Sequence, residues 1–218
     1  KIAEGRAMLQ AKRSPAPYVR HLFDQFAERY DRQMLDDLSY CAHRILRGLA
    51  DMLVATEPDM LDVLDLGCGT GLAGDAFKDV ARRLDGLDLS PGMIERARAR
   101  GIYDALSVGD VENLDVCKPA VYNLIVSADT LVYLGDLGAV FRGVHRRLRP
   151  DGFFLFTVEK RTEAGYRLGP KRRYAHSESY LREEAERAGF EVMGLLECSP
   201  RRDANVPVAG FAAAFQRR

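Results

Sequence analysis

An open, mostly parallel β-sheet with helices on both faces is the fold class this sequence predicts, and three observations carry the prediction. Short apolar, strand-like runs alternate with amphipathic helical stretches about five times, the order that builds βαβ units. One of these runs, Tyr122-Asn123-Leu124-Ile125-Val126-Ser127, is apolar through its middle, as a parallel strand buried on both faces must be. Two strand-like runs then follow one another at the end of the chain, which predicts an antiparallel hairpin at one edge of the sheet.

The elements follow in order. Residues 1–13, with small apolar side chains at Ala3, Ala7, Met8 and Ala11, suit one amphipathic helix or a frayed segment, and Pro15 and Pro17 punctuate the chain after them. From Tyr18 to Tyr30 the apolar positions Val19, Leu22, Phe23, Phe26 and Tyr30 recur with a helical period, and a second helix is expected from about Asp36 to Leu53. Beyond Pro58, Leu61 to Leu66 reads as a first strand running into a glycine-rich turn, with a helix from Leu72 to Arg83 and a second strand from Leu84 to Asp88. Ser90-Pro91 opens the next helix, since serine caps and proline suits the first turn, and Gly101 ends it. Third and fourth strands are expected at 105–108 and 122–127, a helix from Leu137 to Leu148 and a fifth strand from Phe153 to Val158. Residues 160–176 read as a polar loop, Glu178 to Ala188 as a helix stopped by Gly189, and 191–198 and 206–216 as the closing strands.

Composition bounds the partners. At 218 residues, 47% hydrophobic and 29% charged, the chain is long enough for one large domain. Lysine plus arginine and aspartate plus glutamate both number 32. The basic excess of a phosphate-gripping protein is therefore absent, and no nucleic-acid partner is expected. No apolar run approaches the ~18 residues of a membrane-spanning helix, so no membrane partner is expected. Cys41, Cys68, Cys117 and Cys198 lie 27, 49 and 81 residues apart, and the four histidines show no ligand spacing. Neither a metal site nor a disulfide framework is expected, and the plain reading is a cytoplasmic chain with reduced thiols.

The sharpest local signal is Asp65-Leu66-Gly67-Cys68-Gly69-Thr70-Gly71. Three alternate glycines at a strand-to-helix turn let the backbone bend tightly and let a ligand approach where no Cβ stands. In open sheets of this kind the ligand sits outside the carboxyl ends of the strands. Gly69-Thr70-Gly71-Leu72-Ala73-Gly74 also matches the dinucleotide fingerprint by letter, with Asp88 at a suitable distance. Its frame is late, because Gly67 already occupies the place of the first glycine. A nicotinamide-dependent reductase is nonetheless carried as one competing reading.

The acid-x-Gly-x-Gly-x-Gly turn resembles the S-adenosylmethionine-dependent methyltransferases of the Rossmann-like class, and the similarity runs through residues 60–160. Gly86-Leu87-Asp88-Leu89-Ser90-Pro91-Gly92-Met93-Ile94 looks like the family's second motif, Gly109-Asp110-Val111-Glu112 like its third, and Leu148-Arg149-Pro150-Asp151-Gly152 like the turn before strand five. The resemblance implies a Rossmann-like, seven-stranded domain that binds S-adenosyl-L-methionine and releases S-adenosyl-L-homocysteine. It implies roles as well. Asp88 would accept from both ribose hydroxyls, since a carboxylate offers two oxygens to a vicinal diol. Asp110 would accept from the adenine amino group, the Val111 amide would meet a ring nitrogen, and Leu89 and Met93 would cover the adenine faces. Asp65 and the backbone at Gly67, Cys68 and Gly69 would hold the amino-acid end. Ser127 and Ala128 would border the methionine part, and Tyr30 would lie over the cofactor as a lid aromatic. Met93 reads equally well as core, and Asp110 as a capping residue.

Methyl transfer is an in-line displacement with a neutral leaving group, so alignment can supply much of the catalysis and no catalytic triad is required. Strand four ends in Ser127-Ala128-Asp129-Thr130 instead of the Asn/Asp-Pro-Pro-aromatic clamp of base and glutamine N-methyltransferases. The acceptor is therefore expected to be a small molecule methylated on O, N or S, under a roof formed by the N-terminal helices, residues 129–136 and the loop 160–176. His176 is the candidate general base, with a surface histidine before a helix as its plain alternative, and Tyr133 is the other candidate catalytic residue. Tyr18-Val19-Arg20-His21-Leu22-Phe23-Asp24-Gln25-Phe26-Ala27, residues 173–181 and Pro207-Val208-Ala209-Gly210 look like the bacterial tetratricopeptide-repeat-associated methyltransferase branch, of whose repeats only residues 1–13 could be a remnant. The expected organisation is an N-terminal helical lid over 1–56 and a cofactor-binding domain over 57–218. A non-catalytic cofactor-binding or interaction module is the second competing reading, and methylation of a partner protein stays open.

Overall fold

The computed structural model describes residues 12–117, 121–169 and 171–218. Its sheet grows from β1 (Leu61–Leu66), in which every residue is buried. Strands β2 (Ala81–Asp88), β3 (Ala105–Val108), β4 (Tyr122–Ser127) and β5 (Leu148–Arg161) join it in parallel, and β8 (Phe190–Cys198) and β11 (Gly210–Arg217) are antiparallel additions, with a separate two-residue ribbon of β9 (Arg202–Asp203) and β10 (Val206–Pro207) between them in sequence. The spatial order is β3-β2-β1-β4-β5-β11-β8. This is the doubly wound, Rossmann-like α/β fold with an antiparallel hairpin at one edge. The chain leaves β1 toward β2 on one side and returns to β4 on the other. That reversal opens a crevice at the carboxyl ends of β1 and β4, the usual ligand position in such sheets.

Helices cover both faces. On one, α5 (Gly138–Arg147) and α6 (Glu178–Ala188) bury a cluster centred on Phe141, whose ring meets Phe154, Phe156, Phe190 and Phe215 with centroids 5.4–6.4 Å apart. On the other, α2 (Ala42–Leu53) and α3 (Leu72–Phe77) pack Leu46, Leu49 and Phe77 against Val63, Leu124 and Leu155. Helices α1 (Ala16–Phe26) and α4 (Pro91–Ala99) are joined by the Asp24 carboxylate, which accepts from the Ser90 hydroxyl at 2.5 Å and the Gly92 amide at 3.1 Å. Among the described residues no helix is long and apolar enough to cross a membrane.

Four expectations change. The helix after the glycine turn stops at Phe77, not Arg83. Arg82 is drawn into β2, where its guanidinium meets the buried Asp62 carboxylate, and Arg83 pairs with Asp85 along the strand. The second helix starts at Ala42, not Asp36, because Ser39 takes a left-handed φ of 46° after one π-helical turn, Gln33–Asp37. The polar loop 160–176 contains two strands, β6 (Tyr166–Leu168) and β7 (Tyr174–Ser177). Strand β7 takes the edge of β5 that β4 leaves free past Phe156, so the described sheet has nine strands rather than seven. Lys12 and Arg13 are not helical, since Arg13 bridges to Leu134, and residues 1–11 lie outside the described residues.

Phe141 touches four other phenylalanines and is fully buried. Its replacement by alanine is expected to lower the unfolding free energy by about 3–5 kcal/mol, as large aromatic-to-alanine changes in packed cores do. Urea denaturation of Phe141→Ala checks this.

Candidate cofactor and acceptor cleft

The turn between β1 and α3 is built on backbone freedom. Gly67, Gly69 and Gly71 all adopt left-handed φ values, 76°, 54° and 99°, a region that side chains with a Cβ resist. Amides of Gly67 and Cys68 donate to the Leu87 carbonyl at the end of β2, at 2.7 and 3.0 Å. The Gly69 amide donates to Asp88 Oδ2 at 2.8 Å, and the Ser90 amide to Oδ1 at 2.8 Å. One carboxylate thus fastens the turn after β1 to the start of the helix after β2. Above Gly69 the space is open, and the nearest atom to an added Cβ is Tyr30 Cε1 at 3.9 Å.

That space belongs to a cleft of about 810 Å³. Its floor is the backbone of Gly67 to Thr70, one wall is Asp88, Leu89 and Met93 with Asp110 and Val111, and the other is Ala128 to Thr130 with Tyr133. Val19, Phe23, Tyr30 and Tyr40 roof it from the N-terminal segment. Phe23 meets Tyr30 and Tyr133 edge-on, at 6.1 and 5.4 Å. The roof is tied down at Asp31, whose carboxylate binds the Thr70 hydroxyl and, at 2.5 Å, Arg100 Nη2. Arg13 reaches in from the other side and pairs with Asp110, at 2.8 Å, and with Glu112.

Electrostatics follow from burial. Desolvation lifts the Asp88 carboxyl to about 6, although the Ser90 and Gly69 amides pull it down. It lifts the Asp65 carboxyl to about 7, against the Tyr103 hydroxyl and Gly74 amide that donate to its Oδ2 at 2.7 and 2.9 Å. Asp129, at φ 58°, is raised by burial too, while its partner Arg201 lowers it. Burial also holds the Tyr133 phenol above its ordinary value, and Arg173, hydrogen-bonded to it, opposes the shift.

Residues 63–152 match the family model described as "Methyltransferase domain". Over that stretch the chain is similar to methyltransferase domains. Over 121 residues it is 34% identical to a malonyl-[acyl-carrier protein] O-methyltransferase of Acetivibrio thermocellus, a match covering 53% of this chain and 41% of that protein. Over 110 residues it is 27% identical to a ubiquinone biosynthesis O-methyltransferase of Xanthomonas oryzae pv. oryzae, covering 49% and 46%. The chain spans about half or less of the length of the curated relatives it matches. In fold it resembles the Burkholderia thailandensis 1,6-didemethyltoxoflavin-N1-methyltransferase solved with S-adenosylhomocysteine bound. That structure has a TM-score of 0.69 and 20% identity, and the match covers 94% of this chain and 90% of the other.

Eleven sequence-predicted residues come together on the cleft: Tyr30, Gly67, Cys68, Gly69, Asp88, Leu89, Met93, Asp110, Val111, Ala128 and Tyr133. Three do not. Asp65 lies fully buried beneath the turn, where it fixes α3 and Tyr103. The Ser127 hydroxyl is turned into the sheet and donates to the Leu66 carbonyl at 2.8 Å, locking β4 to β1. His176, expected as a base, is fully buried on β7, with Nε2 on the Gly135 carbonyl at 3.1 Å and its ring stacked on Tyr180. Desolvation lowers it to about 4, so it stays neutral and out of reach of the cleft. Sequence reasoning did not single out Arg13 or Tyr40 as lining residues, and it placed Asp129 only within the expected roof segment 129–136. The acid two residues after β4 was the readable signal there.

A carboxyl whose pKa is raised in the folded state adds stability that is complete below its unfolded value and lost as pH climbs through the folded value. For Asp65 that window runs from about 4 to about 7. Asp65→Asn keeps an acceptor for Gly74 and Tyr103 but never ionises. Its melting temperature relative to wild type is expected to rise between about pH 4 and about pH 7 and to level off above, in thermal melts across that range. A pH-independent difference contradicts the assignment.

Proposed function

We propose that the chain is a methyltransferase that moves the methyl group of S-adenosylmethionine to an O, N or S atom of a small-molecule acceptor. The observation that carries this reading is the left-handed glycine cradle, open above Gly69 and fastened to a carboxylate at the end of β2. Bound S-adenosylmethionine supplies a sulfonium methyl whose C–S bond breaks with the electron pair left on sulfur, while the acceptor's lone pair forms the new bond to carbon. Asp88 would hold the ribose diol, because each of its oxygens keeps a lone pair beyond the amide it already serves. Asp110 would take the adenine amino group beside Arg13, with Leu89, Met93 and Val111 as the apolar faces. The rings of Tyr30, Phe23 and Tyr133 suit a cationic sulfur, which aromatic faces attract.

On the acceptor side the reading assigns Tyr133. Its phenol stays protonated and accepts from Arg173, which leaves its own O–H to orient an acceptor. A proton on the acceptor atom would leave to solvent or to a base the acceptor brings. The lid over 1–56, the domain over 57–218, a cytoplasmic location and the tetratricopeptide-repeat-associated branch belong to the same proposal.

Calorimetry with S-adenosylhomocysteine tests the assignment. Wild type is expected to bind, and Asp88→Asn to bind about tenfold or more weakly, the value of a charge-assisted hydrogen bond. Wild-type affinity is expected to fall as pH drops through about 6, where Asp88 takes up a proton, and the variant to lack that dependence. Absence of binding by wild type at millimolar ligand contradicts the reading.

A further inference from the structure

Beyond Tyr133 the cleft meets a second hollow of about 540 Å³, and Tyr133 lines both. Its charge differs sharply from that of the first. Five cations line it, Lys171, Arg172 and Arg173 from the segment before β7 and Arg201 and Arg202 from the C-terminal hairpin, against one carboxylate, Asp203. The chain as a whole is neutral, so this concentration is local rather than a reflection of composition. Lys171 is paired with Asp203. Arg201 is buried and bound to Asp129 and Glu159, yet its Nε–H has no partner. Arg172, Arg173 and Arg202 form no ion pair among the described residues. Arg172 lies over the Tyr18 ring at 4.7 Å, Arg173 donates to Tyr133, and Arg202 donates to the Asn205 carbonyl.

An orphaned donor at the bottom of such a hollow and unpaired guanidinia at its rim are what an oxyanion needs, since guanidinium presents several donors to a carboxylate or phosphate at once. Tyr18, Leu22 and Leu38 add an apolar side. On the methyltransferase reading proposed above, we infer that this basic hollow holds an anionic group of the methyl acceptor, a carboxylate or a phosphate, on the far side of Tyr133 from the cofactor. The protein then selects acceptors that combine an oxyanion with an apolar portion. Arg201 couples the two compartments, because the guanidinium that faces the anion also grips Asp129 on the cleft wall.

The test titrates the full chain, saturated with S-adenosylhomocysteine, with inorganic phosphate and separately with octanoate, at constant ionic strength. At least one of the two is expected to bind saturably at a single site, and which one binds distinguishes phosphate from carboxylate acceptors. Arg172→Gln combined with Arg202→Gln changes two exposed side chains. The double variant is expected to lose about tenfold or more of that affinity, while Arg146→Gln, an exposed arginine on α5, leaves it unchanged. S-adenosylhomocysteine affinity is expected to be the same in all of them. No saturable binding of either anion, or equal binding by the double variant, overturns the inference while a normal S-adenosylhomocysteine isotherm leaves the cofactor reading standing. Failure of S-adenosylhomocysteine itself to bind wild type overturns the cofactor reading instead.

Discussion

The cleft depends on the carboxylate of Asp88 more than on any other single group. Its two oxygens accept from the amides of Gly69 and Ser90, so the turn that follows β1 and the helix start that follows β2 are held at one distance and one angle. Removing that carboxylate from water is unfavourable, and its raised pKa records the cost. Charge-assisted bonds from two backbone amides offset much of it. The N-terminal roof is fastened to the same two places, at Ser90 and Gly92 through Asp24 and at Thr70 through Asp31. Floor, wall and roof therefore share one anchor.

Charge is distributed across the cleft with a clear sense. Asp88, Asp110 and Asp129 line the side proposed to receive a cationic cofactor, and arginines crowd the hollow behind Tyr133. Arg13 and Arg201 sit on the boundaries and neutralise Asp110 and Asp129. A neutral chain can thus present opposite fields to two ligands a few side chains apart, where low dielectric makes each field stronger than it would be in water.

Much of the scaffold was legible because its signals are local. Left-handed glycines are a backbone requirement that shows in composition, and a fully apolar run such as Leu124 to Val126 reads directly as a buried strand. Residue type does not give direction. Asp65, Ser127 and His176 are polar residues at motif positions or in a polar stretch, but each is turned toward a partner supplied by tertiary packing: Tyr103, the Leu66 carbonyl and the Gly135 carbonyl. The short strands β6 and β7 escaped notice because they are three and four residues long with glycines and a proline around them, and they form only where β5 outruns β4. Arg13 and the basic hollow were illegible for another reason. Arg13 meets Asp110 across 97 positions of sequence, and the hollow joins separate segments around Tyr18, Tyr133, Arg172 and Arg202, which no pattern within one window can join.

A crystal structure of the chain grown with S-adenosylhomocysteine measures the central claim most directly. The account predicts the ribose hydroxyls on the Asp88 carboxylate, the adenine between Leu89 and Val111, and the sulfur facing Tyr133. A cleft without ligand, or a ribose directed away from Asp88, contradicts it.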